Sequence, residues 1–568
     1  MIRFSVLLFL LLSAPSLYAQ LVLTSFPNSF SLIPRIPGTS YALLTIQGTW
    51  SSSHPGDSLF LNVYRNGALI REHFLIQMDS SGGGGFIAVD TLPARLEEYR
   101  YDIVENHSTV LASADSICAG DVFILHGQSN AEAASYGEYA DTLCNEFIRT
   151  YGMASEAGYY AKWYRGSGDS DRKRPGHIGQ LGLALATTLM KKYQMPIAIM
   201  NGAVGGKPIT YFQRNENDPL SQQSSYGRLL KRVREAHCEN AIRAIIWYQG
   251  EQDAANHLSE QNYFDSLKTL YHAWKQDFPN TEQVYVFQIR AGCNQQKDDV
   301  KRIQEAQRRF CETYADATCL STGAGKQSSI DLCHFTFTKG YALLAAQLAR
   351  QMQIQLYHER YTPTVFSRSV RGAYLLNEHD VDLVCDYSVP CKADIAVCND
   401  FYIEDYKFKP VEILKSDAGF RLHFNESLQS SYRLNYTGHA GVPVPFLGDI
   451  HGNAMLAFSR LPLFDTIGLN ILSVADSVCT HPQNLPQETE LAYFHDSHLL
   501  IHGSNEWTQA AQIEVFSLQG KSVFHQQVQP GPSYFSLYIP LPEGMMYIIV
   551  CTMERKGKKE VRRIKITT

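Results

Sequence analysis

The stretch Asp121-Val122-Phe123-Ile124-Leu125-His126-Gly127-Gln128-Ser129-Asn130 decides how the middle of this chain folds. Val122 to Leu125 is an apolar run without polar alternation, which is how a strand buried on both faces reads. A glycine and three polar side chains follow within four residues. Glycine lets the chain turn tightly and present the next hydroxyl. Open parallel sheets place their sites at the carboxyl ends of their strands. A serine there can also be a plain helix N-cap, so the turn alone does not define chemistry.

The same grammar repeats downstream. Apolar strands are expected at 121–126, 196–201, 241–248, 283–290 and 317–321. Amphipathic helices are expected near 181–193, 226–237, 263–277, 300–314 and 339–353. Strands alternating with helices predict one α/β domain over 120–358, a parallel sheet covered on both faces. On its N-terminal side, 20–119 reads as a small β-sandwich, with strand-like runs such as 59–64 and 99–104 and the turn Asn66-Gly67. On its C-terminal side, 359–481 reads as a β-rich accessory domain. A last β domain spans 482–568, and residues 551–568 hold seven Lys/Arg against two Glu.

Length and composition fit this division. A chain of 568 residues calls for several domains, and 45% hydrophobic with 19% charged residues excludes extensive disorder. The net charge of −6 is small for the length and gives no pull toward nucleic acid. Residues 1–19 hold one early charge, Arg3, a short apolar run and small residues, the pattern of a signal peptide cut after Ala19. A secreted or cell-surface, extracellular protein is therefore expected. Of the twelve cysteines, five crowd in two stretches, Cys311 with Cys319 and Cys385 with Cys391 and Cys398. They lack the paired spacing of a zinc site, so each reads as a structural disulfide or a buried thiol.

Three more strand ends carry polar clusters. The second strand runs into Asn201-Gly202-Ala203-Val204-Gly205-Gly206-Lys207-Pro208, whose glycine pair exposes backbone N–H groups suited to an oxyanion; the spacing fits neither phosphate-loop motif. The third ends in Trp247-Tyr248-Gln249-Gly250-Glu251-Gln252-Asp253. After the fifth comes Asp331-Leu332-Cys333-His334, in which the carboxylate can orient the imidazole and leave its other nitrogen to deprotonate a serine. Together these are the parts for acyl transfer: nucleophile, base, orienter and oxyanion donors.

These motifs, in this order, resemble the SGNH (GDSL-like) hydrolases, and within them the sialate O-acetylesterase group, itself similar to acetylxylan esterases. Glu305-Ala306-Gln307 looks like that group's Arg-Glu-Ala-Gln stretch, with Gln304 in place of its arginine. The chain departs from the group at Ala131, where Met is common, and at Lys207. The resemblance implies an SGNH-type, flavodoxin-like parallel-sheet hydrolase domain flanked by β-sandwich domains. It implies Ser129 as nucleophile, His334 as base and Asp331 as its partner. The oxyanion hole would comprise the Ser129 N–H, one glycine of Gly205-Gly206 and the Gln249 side chain. Gln128, Asn130 and Glu251 would contact substrate, Glu251 either directly or by bracing its loop.

The expected function is a secreted serine esterase that removes O-acetyl groups from carbohydrates, foremost O-acetylated sialic acids, with no metal or cofactor. The alternatives are an acetylxylan-type esterase and a catalytically inactive glycan-binding protein. The segment from Ile513 to Val523, then Leu541 to Val550 and the basic end, resembles a type IX secretion sorting domain. That resemblance implies the secretion machinery as a partner.

Overall fold

The structure is a computed structural model. It describes residues 20–567 except 52–55, 77–83, 153–160, 294, 329–330, 361–364, 386–390, 393–394, 404–406, 417–418, 439–446, 450–452, 466–491, 496–497, 503–510, 518–521, 529–533, 539–545 and 556–557. Residues 1–19, expected to form a signal peptide, lie outside the described residues. The architecture is mixed α/β with several sheets. The chain forms two compact units, one of residues 1–368 with 392–402 and 435–460, the other of 369–391, 403–434 and 461–568. Three stretches of the expected accessory domain, 359–368, 392–402 and 435–460, thus group with the α/β unit.

In the first unit, β1 (Gln20–Ser25), β3 (Tyr41–Ser51) and β6 (Gly85–Pro93) form one antiparallel sheet, and β2 (Leu32–Pro34) pairs separately with β8. Strand β3 alternates strictly between exposed and buried residues, as a strand with one wet face must. β4 (Leu59–Arg65), β5 (Ala68–Leu75), β7 (Tyr99–Glu105) and the start of β8 (Thr109–Gly127) form a second antiparallel set. Ile46, Phe86, Leu61 and Ile103, drawn from both sheets, share one apolar cluster.

Strand β8 crosses the expected boundary at 119/120 without a break. Its first residues are largely exposed, and its last eleven are all buried. The change marks where it leaves the antiparallel layer and becomes the centre of a parallel sheet. That sheet continues through β9 (Ile148–Tyr151), β10 (Trp163–Arg165), β11 (Ile197–Asn201), β12 (Ile242–Tyr248), β13 (Gln283–Gln288) and β14 (Ala317–Ser321). Its order is β10-β9-β11-β8-β12-β13-β14, and only β10 runs antiparallel to its neighbour. The edge pair β9–β10 was not expected from the sequence.

Helix α1 (Ser129–Glu132) is a single turn. The others are α2 (Gly179–Tyr193), α3 (Ser225–Glu235), α4 (Glu251–Ala255), α5 (Glu260–Asp277), α6 (Lys297–Thr313) and α7 (Ala342–Gln355). Ser224 and Ser259 cap α3 and α5, each accepting the N–H three residues on. At the amino ends of the strands, buried Asp121 takes Arg243 at 2.9 Å and the Tyr357 hydroxyl at 2.7 Å, and it also pairs with Arg35. These charges satisfy one another and fix the end of the sheet opposite the polar strand ends.

In the second unit, Val370–Leu375, Asp380–Cys385, Gly419–His423 and Glu412–Ser416 run antiparallel in that order, with residues 463–465 alongside the first in parallel. Further on, Ala492–His495, His498–His502 and Tyr534–Tyr538 form a three-stranded antiparallel sheet. Ala511–Ser517, Ser522–Val528, Met546–Arg555 and Lys558–Thr567 form a four-stranded one. The link 518–521 within the sorting-type motif lies outside the described residues.

Candidate active site

Gly127 ends β8 opposite Tyr248 of β12, with φ at 137°. A side-chain carbon there would stand 2.1 Å from the Tyr248 carbonyl, so only glycine fits this turn. The Gln128 N–H donates to that carbonyl at 2.9 Å, and Ser129 then opens α1. As a first-turn residue, Ser129 has no intrahelical acceptor for its N–H.

The loop after β14 carries His334, the expected base. His334 Nδ1 is 2.5 Å from Asp331 Oδ2. Asp331 Oδ1 accepts the N–H groups of Cys333 at 3.0 Å and His334 at 3.1 Å. Partial burial pushes the Asp331 carboxyl up, but the bond to His334 and the two backbone bonds win, and it is held below its usual value. With Nδ1 committed, buried Nε2 has no partner among the described residues. An imidazole held by a carboxylate on one nitrogen and unengaged on the other is what a general base requires.

Two contacts near this histidine were not read from the sequence. Tyr136 stacks on the His334 ring, with centroids 4.0 Å apart and planes 3° from parallel. A disulfide joins Cys293, in the loop after β13, to Cys333. It falls on neither of the crowded cysteine groups, and Cys311 lies within hydrogen-bond reach of Cys319 instead. Only three-dimensional approach could pair cysteines 40 positions apart.

Gln128, Asn130 and Glu251, expected to meet substrate, do converge, but they face inward. Gln128 Oε1 accepts from the N–H groups of Gly250 at 3.2 Å and Gln252 at 3.1 Å. Asn130 is fully buried; its Nδ2 donates to Glu251 Oε1 at 2.8 Å and its Oδ1 accepts from the Tyr341 hydroxyl at 3.0 Å. Glu251 therefore braces its loop. Burial raises its carboxyl to about 7, and that of neighbouring Asp253 to about 6. Buried polar groups pair wherever they can, which turns these three side chains into a scaffold beneath the serine.

Gln249 is corrected in the same way. Its side chain is fully buried, and Nε2 donates to Gln128 Oε1 at 3.2 Å, to the Lys207 carbonyl at 3.1 Å and to Asp253 Oδ2. Its Oε1 accepts from the Tyr263 hydroxyl at 3.1 Å, and Gln307 Nε2 holds its carbonyl at 2.8 Å. An amide so engaged locks the β12 loop in place and presents no N–H to an oxyanion.

Of the glycine pair, Gly205 is the one against Ser129. A side-chain carbon on it would lie 3.5 Å from Ser129 Cβ, whereas Gly206, at φ 67°, faces open space. The Gly205 N–H is occupied: it donates to Glu132 Oε2 at 2.8 Å. Glu132 lies three residues after the serine, and no sequence signal marked it.

A serine turn after β8 and an aspartate-held histidine after β14 stand at the carboxyl ends of one parallel sheet, the arrangement expected of a serine hydrolase. Residues 119–354, which hold Ser129, Asp331 and His334, match the family model described as carbohydrate esterase, sialic acid-specific acetylesterase. Such a family is one of carboxylic ester hydrolases, and the match supports carbohydrate acetylesterase chemistry. A probable carbohydrate esterase of Arabidopsis thaliana is 25% identical over 184 residues, 30% of this chain and 67% of that protein. Among solved structures, a carbohydrate acetylesterase from Xanthomonas citri is similar with a TM-score of 0.49 at 14% identity, over 78% of this chain and 98% of that one. A second, from Arabidopsis thaliana, has a TM-score of 0.35 at 19% identity, over 42% and 99%.

Proposed function

We propose that this protein is a secreted serine esterase that removes O-acetyl groups from carbohydrates, foremost O-acetylated sialic acids, through an acetyl-enzyme. Ser129 Oγ attacks the acetyl carbonyl carbon while His334 Nε2 takes its proton. The sugar oxygen leaves with that proton. Water, deprotonated by the same nitrogen, then attacks the acetyl-serine and releases acetate.

The observation that carries the reading is the state of His334, with Nδ1 bound to Asp331 and Nε2 without a partner among the described residues. The family description supports the sialic acid preference. The strand order β11-β8-β12-β13-β14, all parallel, supports the SGNH-type reading. The leader-like residues 1–19 support secretion, and the sorting-type motif in 482–568 supports the type IX route.

Two assays test this reading. Acetate release from para-nitrophenyl acetate, lost in Ser129→Ala, tests the chemistry. A panel of 9-O-acetylated sialic acid against acetylated xylan tests the substrate. Release that does not depend on Ser129 would overturn the mechanism, and faster turnover of xylan would overturn the sialic acid preference.

A further inference from the structure

Glu132 is the last residue of α1, and the chain turns sharply after it, with Ala133 in the left-handed region at φ 48°. Its carboxylate reaches back over the serine. Oε2 takes the Gly205 N–H at 2.8 Å, and it lies 3.2 Å from the point where a Gly205 side-chain carbon would stand, itself 3.5 Å from Ser129 Cβ. The other oxygen, Oε1, is 3.9 Å from Arg172 Nε. Carboxylate, backbone donor and nucleophile therefore share one small space.

That arrangement conflicts with acyl transfer. The tetrahedral species needs backbone donors aimed at its new oxyanion, and Gly205 is the glycine placed to supply one. An ionised carboxylate on this N–H occupies the donor and repels the developing charge. Arg172 offers the carboxylate a second seat, where it keeps an opposite charge close while leaving the N–H clear.

We propose that Glu132 is a removable plug of the oxyanion hole, seated on the Gly205 N–H in the resting enzyme and displaced toward Arg172 when an ester enters. The proposal rests on the esterase reading of Ser129 and adds a residue that limits it. Arg172 and Asp171 from the loop before α2, His334 from the base loop and the Gly205 N–H all act on this carboxyl. Burial is the largest influence and raises its pKa above the ordinary value. The plug is thus charged at high pH and neutralised as pH falls through that raised value.

The test uses the full chain and para-nitrophenyl acetate, with kcat and KM measured separately over roughly pH 5 to 9. Glu132→Ala is expected to raise kcat about tenfold above neutral pH, with KM within about twofold, and the gain is expected to shrink toward acid. Glu132→Gln keeps an oxygen acceptor without the charge and should fall between that variant and the wild type. A residue that merely supports the fold, or that stabilises the protonated histidine, would lower kcat when removed. Unchanged or lower kcat for Glu132→Ala at every pH overturns the plug.

A second readout does not need turnover. A fluorophosphonate that labels Ser129 places an oxygen in the same hole, so Glu132→Ala should be labelled faster than wild type. Equal or slower labelling overturns the plug. If the wild type releases no Ser129-dependent acetate, the esterase reading fails, and the labelling rates still decide the plug.

Discussion

Asn130, one residue after Ser129, donates through Nδ2 to the backbone carbonyl of Cys333, one residue before His334, at 3.3 Å. The bond joins positions 203 apart in sequence. It sets the spacing of serine loop and histidine loop without using either reacting group. Asn130→Ala should lower kcat about 10- to 100-fold with little change in KM, since misplacement of reacting groups is costly. It also leaves Glu251 buried without this donor, a loss of about 1–3 kcal/mol. Steady-state kinetics and urea unfolding check both. A kcat near wild type would show that the loops are held by other means.

Ser129→Ala should reduce kcat by about 10³-fold or more with the fold intact. Asp331→Asn keeps an oxygen for the Cys333 and His334 N–H groups but can set an amide N–H against His334 Nδ1, favouring the wrong tautomer. The expected loss is large, on the order of 10² to 10⁴. Wild-type activity in Asp331→Asn would mean that another group orients the imidazole.

The Cys293–Cys333 bridge ties the β13 loop to the residue beside His334 across 40 positions. In the chain-entropy picture, closing a loop of that size is worth about 4 kcal/mol. The double variant Cys293→Ser with Cys333→Ser should therefore melt lower than wild type, and its kcat should fall as the base loop loosens. Wild-type protein under strong reductant should behave alike. Identical melting of oxidised and reduced protein would rule out a stabilising bridge.

Glu251 gives stability a pH dependence of known sign. Burial raises its carboxyl from 4.5 to about 7 in the folded protein. The native state then holds the proton more tightly than the unfolded chain, so stability declines as pH rises from roughly 4.5 to 7 and stays reduced above. The full effect is about 3 kcal/mol. Glu251→Gln keeps an oxygen for Asn130 and carries no charge. Its Tm minus that of wild type should grow more positive from acid to mildly alkaline pH. A gap that does not move with pH would mean the carboxylate is ionised in the fold without cost.

The five strand-and-helix units were legible because each helix has its own stripe of apolar residues and each strand its own run. Periodicity is local, so α2, α3, α5, α6 and α7 lie within a few residues of where the pattern sets them. The edge strands β9 and β10 were not legible: at four and three residues they are too short to show a period. The strand-end turn at Gly127 and the Asp-x-x-His loop were legible for the same local reason, since their geometry needs only neighbours in sequence. What the sequence by itself determined is thus which side chains stand at the ends of the parallel strands. Tertiary structure alone decided which of their polar groups are spent. Gln249 donates into Gln128 and Asp253, Asn130 holds Glu251, Glu132 covers the Gly205 N–H, and Cys333 bonds to Cys293. A buried donor takes whatever acceptor folding brings within about 3 Å. Most of those acceptors come from loops distant in sequence, where no local pattern records the approach.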